Sequence, residues 1–231
     1  MKKPVLLFVI LLLPVLVYLF FSTGHHHMMY LPIFYPEEVK KTMVDGKEKT
    51  DTLYHTIPPF KFIDQDGDTV TQDLFKDKIY VADFFFTTCP TICPKMMSQM
   101  HRVSDTNSTT TDFSIISHTV NPDHDSVAVL AEYAKLVHAK SPKWMLVTGK
   151  KKDIYDIAID GYKLAVATDP RAPGGFLHSE LFVLVDKDKR VRGYYDGTDS
   201  VQVNKLINDI KILGAEYESK NPKVKIFQKH S

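Results

Sequence analysis

Hydrophobic positions in this chain are grouped in several distinct patterns. The first group is continuous: Val5 to Phe21 is a run of 17 positions in which only Pro14 is not apolar or aromatic, and no Lys, Arg, Asp or Glu follows until Glu37. As a helix the run would reach about 26 Å, a marginal span of a hydrocarbon core about 30 Å thick, with a kink at Pro14. It fits a membrane anchor or a signal-peptide core. The run closes as Phe20-Phe21-Ser22-Thr23-Gly24, without a small-x-small cleavage site or a lipobox cysteine. The expectation is therefore an uncleaved N-terminal transmembrane helix over residues 1–24. Lys2 and Lys3 would hold the amino terminus in the cytoplasm and place the rest of the chain on the far side.

The second group consists of strand-prone runs. Lys78 to Phe86, KIYVADFFF, is nearly continuous and reads as a strand buried on both faces, the best candidate for the centre of a sheet. Ile57 to Ile63, Phe113 to Val120 and Lys143 to Thr148 are further strands. Asp64-Gln65-Asp66-Gly67-Asp68 supplies turn chemistry for an opening hairpin. Leu181 to Val185 and Val191 to Tyr194 form a late hairpin around Asp186 to Arg190. Between these runs lie helical patterns. Lys95 to Ser104, Ser126 to Ala139 (with Val127, Leu130, Ala134 and Val137 at helical spacing), Lys151 to Ile159 and Asp199 to Leu213 read as helices. Strands alternating with helices, then a hairpin and a closing helix, predict an α/β layered domain with a mixed central sheet flanked by helices. The expected organisation is an anchor over 1–24, a linker over 25–51, the folded domain over 52–215, and a basic tail over 216–231 that carries four lysines and no acid from Lys220 onward.

Composition narrows the function. Over 231 residues, 29 basic and 28 acidic side chains leave a formal charge of +1, so no excess of either sign is available to draw in phosphates; nucleic-acid binding is not expected. Hydrophobic residues at 44% and charged residues at 25% are those of a folded globular chain. Two cysteines are too few for a disulfide scaffold, and both fall in one short loop.

That loop, Thr87-Thr88-Cys89-Pro90-Thr91-Ile92-Cys93-Pro94, lies where the buried strand meets the next helix. Free amides and the helix dipole at a helix start stabilise thiolates and lower their pKa, and Pro94 suits a first helical turn. Cys-x3-Cys spacing brings the sulfurs together across about one turn, close enough to share a soft metal ion or to close a small disulfide. Both outcomes fit the residues. Six positions upstream, Asp83 interrupts the buried strand; a carboxylate there is costly unless paired or used, and desolvation would raise its pKa and make it a proton relay for the thiols. Of ten histidines, His178 has a distinctive setting. It follows the glycine-opened loop Pro173-Gly174-Gly175-Phe176-Leu177 and precedes the strand at Leu181, a position where α/β domains build sites.

The segment Thr88-Cys89-Pro90-Thr91-Ile92-Cys93-Pro94-Lys95-Met96, followed by His178-Ser179 and the strand Phe182-Val183-Leu184-Val185-Asp186, resembles the Sco/SenC family. These are membrane-anchored, thioredoxin-like copper proteins that assist assembly of the dinuclear copper centre in cytochrome c oxidase subunit II. The resemblance spans roughly residues 55 to 215 and the anchor. It implies a thioredoxin-like fold with an extra hairpin and one copper ion, Cu(I) or Cu(II), held by Cys89, Cys93 and His178. It also implies subunit II as partner, with a copper donor or thiol reductant upstream. Asp83 matches the aspartate that thioredoxins bury six residues before their first cysteine. The chain departs from the family in having Thr91 and Leu177 where many members carry Asp, and Asn121 opening Asn121-Pro122-Asp123-His124-Asp125. These changes remove negative charge near the site while leaving the three ligand types in place.

The cluster His25-His26-His27-Met28-Met29 is a candidate second soft-metal site beside the membrane. Two functions compete. A metallochaperone would hold copper and pass it on by ligand exchange without turnover. A membrane-anchored thiol-disulfide oxidoreductase would attack a partner disulfide with Cys89 and resolve with Cys93. Against the second, thioredoxin-like reductants use Cys-x2-Cys and a proline before the facing strand. A thiol peroxidase would want Thr at the position of Phe85. Lys2 and Lys3 leading straight into the apolar run, with no Arg- and Ser-rich transit segment, place the expected protein in a bacterial inner membrane as a single-pass protein with its domain in the periplasm.

Overall fold

A computed structural model of the chain describes residues 12–15, 30–44, 47–165, 167–168, 176–177 and 179–220. Of the expected anchor, one helical turn at residues 12–15 is therefore described, and the rest of 1–24, the His25 to Met29 cluster, His178 and the tail beyond 220 lie outside. Among the described residues no helix is long and apolar enough to cross a membrane.

The strands are β1 (Pro36–Val44), β2 (Lys47–Tyr54), β3 (Lys61–Asp64), β4 (Thr69–Thr71), β5 (Ile79–Phe85), β6 (Phe113–Thr119), β7 (Trp144–Thr148), β8 (Ala167–Thr168), β9 (Phe176–Leu177), β10 (Leu181–Val185) and β11 (Val191–Asp196). The helices are α1 (Ile92–Thr106), α2 (Val127–Val137), α3 (Lys151–Asp156) and α4 (Ser200–Lys220). Among the described residues the main sheet has seven strands in the order β11-β10-β5-β6-β7-β3-β4. β5, β6 and β7 run parallel at its centre, and the outer pairings are antiparallel, giving the mixed sheet that the element order predicts. All seven residues of β5 and all seven of β6 are buried, as expected for central strands covered on both faces.

Helix α1 buries Met96, Met97, Met100 and Val103, an apolar stripe at helical spacing, and packs beside α4, while α2 lies against β7 and β3. Trp144, Phe84, Phe85, Phe86 and Phe182 are almost fully enclosed in the core between these layers. Burial of each such side chain contributes about 1.5–3 kcal/mol. Helix α2 begins where Ser126 Oγ accepts from the Val129 N–H at 3.4 Å, satisfying one of the free amides of its first turn. Two aspartates fold the sheet's hairpin turns in the same way. Asp64 accepts from the Asp66 and Asp68 N–H groups at 3.0 and 2.9 Å, and Asp186 from those of Asp188 and Arg190 at 3.0 and 2.9 Å.

Two boundaries differ from the sequence reading. The expected linker holds an antiparallel hairpin, β1 with β2, which pairs with itself and not with the main sheet. Its Val39, Met43 and Leu53 are exposed, and none of its side chains among the described residues is buried, so the signal that makes a strand legible is missing there. The closing helix also runs past Leu213 to Lys220, so the expected start of the tail at 216 falls inside α4. The physical reason is Arg192, which is 1% exposed and bridges Asp186 at 3.0 Å and Glu216 at 2.7 Å. The same guanidinium donates to the carbonyls of Leu31 and Pro32 at 2.7 and 2.9 Å. Before β10 the short strands β8 and β9 form a separate antiparallel pair, in which Ala167 faces Leu177 and Thr168 faces Phe176.

Candidate functional site

The cysteine loop leaves the C-terminal end of β5 and enters α1. Cys89 turns the chain there, its N–H donating to the Phe86 carbonyl at 3.2 Å, and is 7% exposed; Cys93, in the first turn of α1, is fully buried. Neither thiol is in a disulfide, and the two lie in hydrogen-bonding relation. Their environments pull their acidities apart. Burial opposes ionisation of Cys89, but the N–H groups of Cys93, Thr91 and Ile92 and the Cys93 thiol converge on its sulfur and hold its pKa below the ordinary value of 9.0. For Cys93, burial dominates; the neighbouring Cys89 and Asp83 add to it, and its pKa is raised well above the thiol range. Cys89 is thus the more acidic thiol of the pair and Cys93 the less acidic.

Thr91 occupies the position where α1 begins, yet its side chain makes no capping hydrogen bond to the helix. Its hydroxyl lies instead 4.0 Å from Cys89 Sγ. An aspartate there would set a second negative charge against the thiolate, so the neutral hydroxyl favours the ionised sulfur.

Asp83 lies in β5 opposite Ser117 of β6 and is fully buried. Ser117 Oγ donates to its Oδ1 at 2.5 Å, and the Trp144 indole N–H donates in turn to Ser117 Oγ at 3.0 Å. Asp83 Oδ2 has no hydrogen-bond partner among the described residues. Desolvation therefore prevails over the Ser117 hydrogen bond and raises the carboxyl to about 7.

A contact not foreseen from sequence fixes the loop from the other side. Asp125, fully buried at the end of the Asn121 to Asp125 segment, accepts from the Thr87 N–H at 3.1 Å, from Thr87 Oγ1 at 2.5 Å and from Thr119 Oγ1. His124 Nδ1 lies 2.9 Å from the same carboxylate. The clue available in sequence was the acidic, proline-containing segment itself; nothing in it indicated that its partner was Thr87, 38 positions upstream.

A cavity of about 370 Å3 opens beside Cys89 and is lined by Thr87, Pro94, Met97 and Tyr133, with His101 and His138 also on its wall. A larger cavity, about 630 Å3, lies around Pro58 to Phe62 and Asp153 to Asp160 and touches neither cysteine. The chemistry of the thiols marks the smaller one as the site.

Among the described residues no cluster of three His, Cys, Asp or Glu side chains is arranged to hold a metal ion. Of the expected ligand set the structure brings Cys89 and Cys93 together, while His178 lies outside the described residues. The strand that follows it is in place: Val183 of β10 pairs with Ala82 of β5 in antiparallel sense, so β10 starts at the sheet end from which the cysteine loop departs.

Fold and site together define a thiol-bearing α/β domain in which a Cys-x3-Cys loop joins a central strand to a helix. Residues 48–213 match the SCO1/SenC family model, and the chain belongs to that family. It is 30% identical over 168 residues to the SCO1 protein homolog of Bacillus subtilis, covering 72% of this chain and 86% of the relative. Among solved structures it is similar to BsSco, described as a member of the Sco family of cytochrome c oxidase assembly proteins in which a disulfide switch was identified. Identity there is 30% and the TM-score 0.61, over 69% of this chain and 93% of that one. The fold is shared as well with Bradyrhizobium japonicum ScoI with copper bound, at 23% identity and a TM-score of 0.57, over 68% of this chain and 99% of the other.

Proposed function

We propose that this chain is a copper metallochaperone that holds one copper ion through Cys89, Cys93 and His178 and assists assembly of the dinuclear copper centre of cytochrome c oxidase. The observation that carries the reading is the pair of thiols at one helix start, with the acidity of Cys89 raised by the amides around its sulfur, in a member of the Sco family. The donor set fits the cargo: soft thiolates suit Cu(I), and an imidazole suits copper in either oxidation state. Relatives with copper bound support the same cargo. Ligation by Cys93 releases its proton, because the thiolate is the ligand. Asp83 interacts electrostatically with that thiol and titrates near 7, and so is the proposed acceptor.

The test is a copper titration of the reduced full-length chain beside Cys89→Ser, Cys93→Ser and His178→Ala. One tightly held ion, with a thiolate-to-Cu(II) charge-transfer band lost in each variant, supports the three-ligand site. Affinity and absorption indifferent to His178 remove the imidazole from it.

The opposed acidities of the two thiols favour a second reading, reduction of a partner's cysteines, and the disulfide switch described for BsSco supports it. Cys89 thiolate attacks one sulfur of a partner disulfide and expels the other as thiolate. Cys93, losing its proton to Asp83, then attacks Cys89 Sγ and releases the second partner thiolate. The partner gains two electrons and a Cys89–Cys93 disulfide is left behind. A combined role, reduction followed by metallation of the same partner cysteines, uses both properties. Equilibration against glutathione redox buffers tests it: a Cys89–Cys93 couple that does not cycle with a dithiol overturns this reading.

The proposed setting is a bacterial inner membrane, with Val5 to Phe21 as the single span, the amino terminus cytoplasmic and the folded domain periplasmic. The uninterrupted apolar run behind Lys2 and Lys3 supports it. Retention of the full-length chain in carbonate-washed membranes is expected, and its release into the soluble fraction would overturn the anchor. His25 to Met29 would then stand next to the membrane as a proposed capture point for copper.

A further inference from the structure

The β1–β2 hairpin leaves the domain as a two-stranded ribbon with an open edge. Its base is rooted. The His55 N–H donates to the Tyr35 carbonyl at 2.9 Å, and the His55 imidazole lies 3.2 Å from Glu37 Oε1 and 2.9 Å from the Gly161 carbonyl. From there β1 runs nine residues, about 30 Å, and β2 returns over eight. Among the described residues no third strand joins the pair, and Pro36 to Lys41 are all exposed. A lone two-stranded ribbon is of marginal stability in water, and the unpaired N–H and C=O groups along its edge are a template for another strand.

The order of charges along β1 decides which strand fits. Glu37-Glu38-Val39-Lys40-Lys41 reverses sign about Val39. A second copy of β1, antiparallel and related by a two-fold axis through Val39, sets Glu38 opposite Lys40 of the other copy and Lys40 opposite its Glu38, with Val39 against Val39 between them. Directly opposed side chains of opposite charge stabilise an antiparallel pair, and like charges destabilise it. Moving the axis one residue toward either end places Glu38 against Glu38 or Lys40 against Lys40. The lysines that guard the edge against indiscriminate pairing therefore leave this register favoured over its neighbours. Within one chain Lys40 Nζ lies 3.3 Å from Glu38 Oε2, with the two side chains 62% and 56% exposed, a contact worth little in water. Exchanging it for cross-strand partners costs little, and Val39, itself 58% exposed, is covered by its counterpart.

We propose that β1 is a self-pairing edge: two copies of this chain join antiparallel through β1, about Val39, into a four-stranded sheet ordered β2-β1-β1-β2. A two-fold contact of this kind presents the same patch from both copies and is complete in a dimer. Its central ion pairs are exposed, so added salt weakens it. The contact uses no residue of the thiol site and does not depend on the copper reading.

The experiment uses the full-length chain in detergent micelles. Sedimentation is expected to show a concentration-dependent monomer–dimer equilibrium that shifts toward monomer as salt rises. Glu38→Lys and Lys40→Glu each set like charges opposite one another at two places, and each should raise the dissociation constant by about fivefold or more. The double substitution returns opposite charges to the same register and should restore the dimer. A chain that stays monomeric, or a dimer indifferent to both single substitutions, overturns the contact. Cross-linking separates pairing through β1 from association elsewhere, such as through the apolar amino-terminal run. In a Cys89→Ser, Cys93→Ser background, Val39→Cys should form an intermolecular disulfide on oxidation with diamide, because directly opposed residues stand about 4.5–5.5 Å apart between Cα atoms, within disulfide reach. Met43→Cys should not, since four residues from the axis its two copies lie about 26 Å apart. Absence of the disulfide at position 39, or its equal formation at position 43, overturns the proposal as well.

Discussion

The Asp83 carboxylate in β5 accepts one hydrogen bond, from Ser117 Oγ of β6 at 2.5 Å, and its other oxygen faces the core without a partner among the described residues. The cost of that arrangement falls on the ionised form. Raising the carboxyl from 3.8 to about 7 means that the folded chain binds more protons than the unfolded chain between those values. Stability contributed by this group is therefore intact below about pH 3.8 and falls as pH rises through about 7, by roughly 4 kcal/mol in all. Asp83→Asn keeps an acceptor for Ser117 and cannot ionise. It should be more stable than wild type at pH 8, with the difference shrinking toward pH 5, as read from urea midpoints at both values.

The unequal acidities of the two thiols predict unequal reactivity. At neutral pH, Cys89 should be alkylated rapidly and Cys93 slowly, because the thiolate is the reacting form and Cys93 is both buried and protonated. Mass spectrometry of an iodoacetamide time course should show one fast modification in wild type and in Cys93→Ser, and none in Cys89→Ser until denaturant is added.

Thr91 supplies a test of charge near the sulfur. A carboxylate placed about 4 Å from the Cys89 thiolate repels it by between about 1 and 4 kcal/mol, depending on the effective dielectric. Thr91→Asp should accordingly raise the Cys89 pKa by roughly one pH unit or more. The pH at which alkylation reaches half its maximal rate should move upward by that amount.

Asp125 pins the cysteine loop through Thr87. Substitution by alanine leaves the part-buried donors of Thr87 and the buried hydroxyl of Thr119 without their acceptor and should cost about 2–4 kcal/mol, as hydrogen bonds to charged groups are worth about 1.5–3 kcal/mol each. The chemical-denaturation midpoint should fall, and alkylation of Cys93 in the native state should speed up as the loop loosens.

Much of this fold could be read from the chain because burial and periodicity agree. The β5 run was evident from KIYVADFFF, and α2 from its apolar spacing after Ser126. The β1–β2 hairpin was hidden because its side chains are mostly polar and none of them among the described residues is buried. The last turns of α4 were hidden by Gly214, which reads as a helix end, whereas Glu216 continues the helix because it reaches Arg192. At the site, Cys89, Cys93 and Asp83 announced themselves by residue type and local setting. The Thr87–Asp125 anchor did not, since it joins residues from separate elements that only the tertiary fold brings together.

Arg192 has a mechanical consequence. Through its bonds to the carbonyls of Leu31 and Pro32 it fastens the chain entering the domain to β11, and through Asp186 and Glu216 to the β10–β11 turn and the last helix. A pull transmitted along the amino-terminal segment therefore enters the domain at this edge of the sheet, two strands from β5, which leads into the thiol loop. Under the anchoring proposed above, force from the membrane would enter the domain at Arg192 and not at the pair of sulfurs.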